Sequence, residues 1–264
     1  MEKHKVTIIT PVYNSEGFIE STISCVLEQT YSNWEMILVD DCSNDGSESV
    51  IKKLTKNDQR FKYFKLEQNS GAAVARNAAI KESTGRFVAF LDSDDLWRKD
   101  KLEKQVSFML ENKIGFSCTD YEVIDENGLT KNKIVSMPKI INYNLFLRNT
   151  IIQTVGVMVD TELTGRDLIE MPLIRRRQDA ATWCKLLKAG FVCHGLNENL
   201  CYYRRVSNSL SANKFKAVKG TWFLYRGIEK LSIPKACFCF VGYAVNACKK
   251  RIYIQALFKL YQKY

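Results

Sequence analysis

Three aspartates within four residues are the part of the sequence whose residue types and spacing most clearly suggest a chemical function. Asp92, Asp94 and Asp95 directly follow the apolar run at residues 86–91. Carboxylates this close repel one another, and each raises the pKa of its neighbours unless a cation neutralises them. Oxygen ligands of this kind suit Mn²⁺ or Mg²⁺, which bind through one or two carboxylates together with the phosphates of a substrate. The sequence therefore predicts that Asp92 and Asp94 bind a divalent metal or a nucleotide.

Two other interpretations of this cluster need no such metal. An aspartate at a helix N-terminus caps the helix and interacts favourably with its dipole, and Asp95 fits that role ahead of a helix over 97–110. A calcium-binding loop would need glycine at its sixth position. This chain has Trp97 there, so we exclude the calcium loop.

The elements that must position this cluster alternate between strands and helices. Apolar runs rich in β-branched residues predict buried strands at residues 6–12, 34–39, 61–66 and 86–91. Helical spacing of apolar residues predicts helices over 15–29, with Ser15 as the cap, from Val50 onward, and over 71–81. Such alternation predicts an α/β fold with a mostly parallel central sheet and helices on both faces. Beyond residue 115 we expect strands at 115–120, 155–159 and 191–203, and a helix at 179–188.

Ligands of open α/β sheets bind outside the carboxyl ends of the strands. The loops after the four predicted strands carry Tyr13, Asp41, the turn at Gly71 and the aspartate cluster at 92–95. Neither GxGxxG nor a Walker A sequence follows the first strand, so a dinucleotide or P-loop site is not favoured. Polar and acidic residues are thus expected to collect at one edge of the sheet.

Charge is distributed very unevenly along the 264 residues. Residues 213–264 hold eleven Lys and Arg against one acid, which accounts for the whole formal net charge of +10. We expect a body over residues 1–212 and a basic, amphipathic, helical C-terminal tail over 213–264. Such a tail favours an anionic partner, either nucleic acid or an acidic membrane surface.

The nine cysteines form no CxxC pair, and the N-terminus lacks the pattern of a signal peptide, so a cytoplasmic protein is predicted. The longest apolar stretch, 236–247, is shorter than the roughly 20 residues that a spanning helix needs.

Five segments of the chain together resemble the family 2 glycosyltransferases, which are inverting sugar-nucleotide enzymes with the GT-A fold. They are TPVYN at 10–14, VDDCSNDGS at 39–47, GAAVARNAAI at 71–80, FLDSDDLW at 90–97 and RRRQDAATW at 175–183. The resemblance covers about residues 5–210. It implies a catalytic domain over 1–212, with a nucleotide-binding part at about 1–115 and an acceptor part at about 116–212.

The resemblance also implies roles for single residues. Asp41 would accept the imide N–H of uracil, Asp94 would bind the metal together with Asp92, and Asp92 would also contact the ribose. The full nucleotide-sugar-binding set that it implies is Pro11, Tyr13, Asp41, Gly71, Arg76, Asp92, Ser93 and Arg204. Apart from the resemblance, the pair at 40–41 could simply open a turn, and Arg76 could lie on a solvated helix face.

Asp179 matches the catalytic carboxylate of the family, which would accept the proton of the attacking hydroxyl. The family usually has Glu-Asp, whereas Gln178 precedes Asp179 here. The alternative is that Asp179 only caps its helix. The neighbouring Arg175, Arg176 and Arg177 either hold a phosphate or form an exposed charged run.

The activity implied by the resemblance is metal-dependent transfer of a hexose, with glucose the first choice, from a UDP-sugar. The acceptor would be GlcNAc or GalNAc on undecaprenyl diphosphate, and the product a β-linkage in a bacterial O-antigen or surface polysaccharide. A galactosyl or N-acetylhexosaminyl transferase of the same fold is an alternative. The tail would lie on the anionic inner face of the plasma membrane. Two alternatives are that the tail packs on the catalytic body, or that its basic and aromatic residues bind nucleic acid. Of these two, the nucleic-acid partner is not expected.

Overall fold

The computed structural model describes residues 4–206 and 214–261, with side chains for 4–206 and 217–247. Within these ranges the strands β1 to β10 are Val6–Val12, Trp34–Asp40, Phe61–Lys65, Phe87–Phe90, Leu96–Trp97, Phe116–Ile124, Thr130–Val135, Ile140–Ile141, Met158–Asp160 and Cys193–Arg204. The helices α1 to α9 are Ile19–Leu27, Ser47–Thr55, Ala72–Lys81, Lys101–Glu111, Tyr143–Asn149, Thr161–Thr164, Gln178–Lys188, Lys214–Phe223 and Ile233–Tyr261. Short 3₁₀ turns lie at Thr154–Gly156 and Asp167–Ile169, and a π-helical turn lies at Leu224–Ile228.

One mixed sheet forms the centre of the molecule, in the order β3-β2-β1-β4-β9-β6-β10-β5. The first four strands are parallel, as the sequence predicted. Because crossovers between parallel strands are right-handed, α1 and α2 lie on one face of the sheet, whereas α3, which leads back across β1, lies on the other. The strand order changes direction between β1 and β4. Their carboxyl ends therefore border the crevice in which open α/β sheets bind ligands.

The carboxyl-terminal half of the sheet departs from the simple alternation of strand and helix. β10 runs parallel to β6, while β5, β7, β8 and β9 pair antiparallel with their neighbours. The short strands β5, β7 and β8 and the helix α5 were not predicted. They are too short, or too polar and exposed, to produce a clear apolar period.

Two helices begin several residues later than predicted. α1 begins at Ile19 rather than at Ser15, since residues 15–18 form a turn in which the Ser15 carbonyl accepts hydrogen bonds from the amides of Phe18 and Ile19. α4 begins at Lys101, because the preceding Leu96–Trp97 pairs with β10 as a strand. Asp95 therefore caps no helix.

A polar cluster at the amino-terminal end of the sheet centres on Glu35 of β2, which is 2% exposed. Its carboxylate accepts hydrogen bonds from Thr7, from the amide and hydroxyl of Thr84, and from Lys5, and it pairs with Lys62 at 3.0 Å. Burial alone would raise the pKa of Glu35, but these hydrogen bonds and charges outweigh burial and lower the pKa to about 2. The ionised carboxylate thus stabilises the fold.

We expect Glu35→Gln to lower the free energy of unfolding by about 2 kcal/mol at pH 7. A carboxyl whose pKa is lowered by folding stabilises the protein above its ordinary pKa, and this contribution disappears as the pH falls towards the folded value. Urea unfolding of both proteins should therefore show a difference at pH 7 that shrinks towards pH 2. The control is Glu48→Gln, which removes only exposed pairs with Lys52 and Lys65 and should change little.

The helices beyond residue 213 pack on the body. Leu224, Tyr225 and Ala236 are fully buried. The Tyr225 hydroxyl donates to the carbonyl of Leu147 at the end of α5, and Asn246 of α9 donates to the carbonyl of Arg148 at 3.1 Å. Packing on the body, one of the arrangements that the sequence left open for the tail, is therefore observed within residues 217–247. In the described part of the chain, no helix is both long and apolar enough to cross a bilayer.

Candidate active site

The loops that follow β1 and β2 are joined by hydrogen bonds and form one wall of the crevice. The amide of Asn14 donates to Ser43, and the amide of Ser15 donates to Ser47. Asn14, at a φ of 46°, accepts in turn from the amide of Asn44. Tyr13 makes none of these bonds, and 49% of it is exposed. The ring is therefore free to contact a ligand beside Pro11.

The adjacent aspartates at the end of β2 have different surroundings. Asp40 is fully buried and accepts hydrogen bonds from the amide and hydroxyl of Ser43 and from the hydroxyl of Tyr63. Asp41 accepts from the amides of Ser70 and Gly71 at 2.6 and 2.8 Å, one on each carboxylate oxygen. Asp40 thus shapes the turn. Asp41 holds the loop that enters α3 and retains lone pairs for a further donor.

Arg76 links α3 to the aspartate cluster. It is 5% exposed, and its Nη2 atom forms an ion pair with Asp92. Its buried Nε atom lacks a hydrogen-bond partner among the described residues. Arg76 therefore does not lie on a solvated helix face. An unpaired buried N–H is costly, so this one is available to an acceptor in the crevice.

Burial and mutual repulsion raise the pKa values in the aspartate cluster. Burial and the charge of Asp92 raise the pKa of Asp94 to about 6. Burial and the charges of Asp94 and Asp92 raise the pKa of Asp95 well above its usual value. Asp95 also accepts a hydrogen bond from the amide of Arg204 at 2.8 Å. Negative charge at Asp94 is thus unfavourable in the protein alone, and a nearby cation would stabilise it.

Arg204 lies behind the cluster at the end of β10. Its Nε atom donates to the carbonyl of Asp94 at 2.6 Å, and its Nη1 atom donates to the carbonyl of Glu126 at 3.0 Å. Its guanidinium lies 5.1 Å from the centre of the Phe18 ring. These contacts hold the loop at Asp94 in place. Contact of Arg204 with a sugar nucleotide stays a prediction.

Thr22 of α1 supports the same loop and was not singled out from the sequence. Its side chain is fully buried, and its hydroxyl lies 3.0 Å from the carbonyl oxygens of both Ser93 and Asp95. A threonine within a helical apolar pattern gives no local signal of this role, because the two carbonyls lie more than 70 residues further along the chain.

Asp179 lies in the first turn of α7, which begins at Gln178, and is partly buried. Residues four apart lie on the same face of a helix, so Asp179 shares a face with Trp183. The Trp183 ring packs 5.5 Å from Phe90, centre to centre, and Phe90 precedes Asp92 by two residues. The helix face that carries Asp179 is therefore the one packed over β4, the strand that ends at the aspartate cluster.

The segment that leads to α7 is also tied to the helix that carries Arg76. The Asn77 side chain donates to the carbonyl of Met171 and accepts from its amide, both at 2.8 Å. Asn77 directly follows Arg76. The segment that leads to the predicted base is thus hydrogen-bonded to the helix that carries a predicted nucleotide-binding residue.

The three arginines before Gln178 differ from one another. Arg175 is exposed and Arg176 is partly exposed. Arg177 has a left-handed backbone, and its guanidinium donates to the carbonyl of Ala217 and the hydroxyl of Thr221, both in α8. The run is therefore not simply a solvated stretch of charge.

The described residues hold no ready-made group of three side chains with metal-binding atoms. The side chains at the crevice nevertheless fit a divalent ion that also binds a substrate diphosphate, since such ions need only one or two carboxylates from the protein. No other described residue donates a hydrogen bond to the Asp94 carboxylate, and only one oxygen of Asp92 accepts from Arg76. Both can therefore serve as ligands.

Comparison with known proteins identifies the family. The model of the family named Glycosyl transferase family 2 matches residues 7–164, the range that contains the crevice loops and the aspartate cluster. The chain belongs to glycosyl transferase family 2. This confirms the predictions of an enzyme, of a hexosyltransferase and of the α/β GT-A fold.

Relatives of this family 2 chain match it over nearly its full length. A protein of Bacillus subtilis (strain 168), provisionally named teichuronic acid biosynthesis glycosyltransferase TuaG, is 52% identical over 95% of this chain and 98% of its own. An Escherichia coli protein, UDP-Glc:alpha-D-GlcNAc-diphosphoundecaprenol beta-1,3-glucosyltransferase WfgD, is 40% identical over 84% of this chain and 85% of its own.

Solved structures confirm the fold. S. aureus TarS in complex with UDP-GlcNAc matches with a TM-score of 0.69 at 19% identity, over 91% of this chain and 71% of that one. The mannosyltransferase PcManGT from Pyrobaculum calidifontis, in complex with GDP-Man and Mn²⁺, matches with a TM-score of 0.69 at 18% identity, over 100% of this chain and 82% of that one.

Proposed function

We propose that this protein is an inverting, metal-dependent glucosyltransferase. It moves glucose from UDP-glucose to GlcNAc on a lipid diphosphate and forms a β-linkage of a bacterial surface polysaccharide. The observation that carries the proposal is the aspartate cluster at the crevice between β1 and β4, with Arg76 bound to Asp92. GalNAc as the acceptor sugar, and galactose or an N-acetylated hexose as the donated sugar, are the alternatives.

The donor would bind across the crevice. Tyr13 and Pro11 contact the base, and Asp41 accepts the uracil imide N–H while it holds the amides of Ser70 and Gly71. The Nε atom of Arg76, which has no hydrogen-bond partner among the described residues, donates to the diphosphate or sugar. Asp92 and Ser93 lie beside the ribose. Asp94, with Asp92, would hold Mn²⁺ or Mg²⁺, which neutralises the charge that develops on the departing diphosphate.

Asp179 would act as the general base. It takes the proton of the acceptor hydroxyl as that oxygen attacks C1 from the face opposite UDP, so the configuration at C1 inverts. It lies in the first turn of α7, near the positive end of the helix dipole.

The choice of glucose and of a lipid-linked GlcNAc rests on relatives. WfgD is named for this reaction, and so is WfaP of Escherichia coli, which is 35% identical over 94% of this chain and 96% of its own. To test it, the full-length protein is incubated with UDP-Glc, UDP-Gal or UDP-GlcNAc, a metal ion, and a synthetic lipid diphosphate that carries GlcNAc or GalNAc. We expect UDP release and a β-linked disaccharide with UDP-Glc and the GlcNAc lipid. No transfer from any donor would refute the proposal.

We further propose that the outer face of α9 lies on an anionic membrane, as a peripheral contact. The exposed stripe includes Ile233, Phe238, Val241 and Val245, with exposed fractions of 60, 65, 62 and 47%. Beside it, Arg148 and Lys235 line a groove of about 320 Å³ between α5 and α9. Apolar side chains flanked by basic ones suit a helix in the headgroup region.

We expect the double variant Phe238→Glu/Val241→Glu to weaken cosedimentation with phosphatidylglycerol vesicles by at least about tenfold. It removes two apolar contacts with the membrane and adds two negative charges that the anionic lipid repels. Both side chains are exposed, so folding and transfer to a short-chain acceptor should persist. Leu129→Glu, at an equally exposed residue far along the chain from α9, is the matched control. Unchanged vesicle binding by the double variant would rule out this face of α9 as the contact.

A further inference from the structure

The guanidinium of Arg177 is hydrogen-bonded to the C-terminal helices. Its Nη2 atom donates to the carbonyl of Ala217 at 3.1 Å and to the hydroxyl of Thr221 at 2.8 Å, and it lies 3.5 Å from the hydroxyl of Tyr243 in α9. Thr221 is fully buried. A β-carbon placed on Gly220 would lie 3.4 Å from the Cγ atom of Arg177, so α8 approaches the stem of the arginine closely.

The same residue begins α7. Arg177 is the N-cap of this helix, and its carbonyl accepts the amide of Ala181 at 2.9 Å, which closes the first turn. Its φ of 62° is uncommon for a residue with a side chain. Such a conformation persists only where the surroundings enforce it, and the hydrogen bonds from the guanidinium to α8 supply that constraint. Asp179 follows two residues later in the turn.

We propose that Arg177 is a positioning residue through which α8 and α9 fix the first turn of α7, and thereby the carboxylate of Asp179, in the geometry for transfer. The proposal rests on the proposed role of Asp179 as the base. It makes the C-terminal helices part of the catalytic architecture whether or not they touch a membrane. Loss of activity on removal of residues from 213 onward would then follow even with an acceptor that needs no membrane.

Variants of Thr221 test the contact with the least disturbance. Thr221→Val keeps the shape of the side chain but removes the oxygen that accepts from Arg177, whereas Thr221→Ser keeps the oxygen. Arg177→Lys keeps the charge but loses the planar group that reaches several acceptors at once. All are assayed as full-length protein with UDP-Glc and a short-chain acceptor in the absence of vesicles. Arg226→Ala, at an exposed arginine between α8 and α9, is the control for charge.

We expect Thr221→Val and Arg177→Lys to lower kcat about 10- to 100-fold, because a displacement of about 1 Å in a reacting group costs up to about 100-fold. The KM for UDP-Glc, UDP binding by calorimetry and the Tm should stay close to those of the wild type. Thr221→Ser and Arg226→Ala should retain the wild-type kcat. If Arg177→Lys does not fold, the pair of Thr221 variants decides the question.

A wild-type kcat in Thr221→Val would overturn the positioning role, and so would a fall in kcat accompanied by an equal loss of UDP binding. Failure of the proposed function has a different signature. If Asp179→Asn itself keeps full activity, then Asp179 is not the base. If Asp179→Asn is inactive while the Thr221→Val and Arg177→Lys variants are fully active, only the positioning inference fails.

Discussion

Asp179→Asn is expected to lower kcat by about 10³-fold while UDP-Glc still binds. Asparagine keeps the size of the side chain but cannot accept the proton of the attacking hydroxyl, and a positioned general base contributes roughly 10²- to 10⁴-fold to a rate. In the proposed complex the donor contacts the loops after β1, β2 and β4, whereas Asp179 lies on α7. The two effects should therefore separate. Steady-state kinetics with both substrates and calorimetry with UDP measure them.

The matched control for this variant is Asp100→Asn. Asp100 also lies at the start of a helix, as the N-cap of α4, and pairs with Lys104 at 2.9 Å. If Asp179 only stabilised its helix through the dipole, both variants would show a small loss of stability and full activity. Near-wild-type kcat in Asp179→Asn would therefore favour the capping interpretation that the sequence left open.

Asp94→Asn is expected to remove at least about 10²-fold of the metal-dependent activity without destabilising the protein. The amide is a poor ligand for Mn²⁺ or Mg²⁺, so the departing diphosphate loses its counter-charge. Burial and the charge of Asp92 raise the pKa of Asp94 to about 6. Ionisation at pH 7 therefore opposes folding, and a neutral side chain should raise the stability of the metal-free protein by about 1 kcal/mol.

Activity against metal concentration, together with thermal unfolding in EDTA, tests this expectation. Asp92→Asn should differ, because it also removes the ion pair with buried Arg76 and should lower the Tm. Wild-type metal dependence in Asp94→Asn would show that Asp94 is not a metal ligand. Wild-type activity in EDTA would remove the metal from the proposed mechanism.

The strands next to the crevice could be predicted because buried parallel strands appear as unbroken apolar runs. β1 and β2 are buried along almost their whole length, and their predicted bounds agree with the structure to within one residue. The helix starts at Ser15 and Trp97 failed for a physical reason. The residues after Ser15 form a turn, and Leu96–Trp97 pairs with a strand about 100 residues away in sequence. No local pattern reports such a pairing.

The site divides in the same way. Asp41, Asp92 and Asp94 could be predicted as site residues because they follow predicted strands at the edge where open α/β sheets bind ligands. Asp179 was predicted from its match to the catalytic carboxylate of the family. The sequence did not predict the contacts that hold these residues in place. Thr22 and Arg204 donate hydrogen bonds to carbonyls of the aspartate loop, and Arg177 donates to Thr221 of α8. Each support joins residues from distant segments, and its side-chain type alone is compatible with many other contacts.

Residue types and their local order were sufficient to predict a sheet whose strand ends gather acidic groups suited to a divalent metal or a nucleotide, because burial and side-chain chemistry are properties of short segments. Only the folded chain decides how those groups are oriented, which of them are already satisfied by backbone amides, and that the basic C-terminal helices pack against the helix of Asp179. These outcomes depend on contacts between segments far apart in sequence, and their geometry is created by packing.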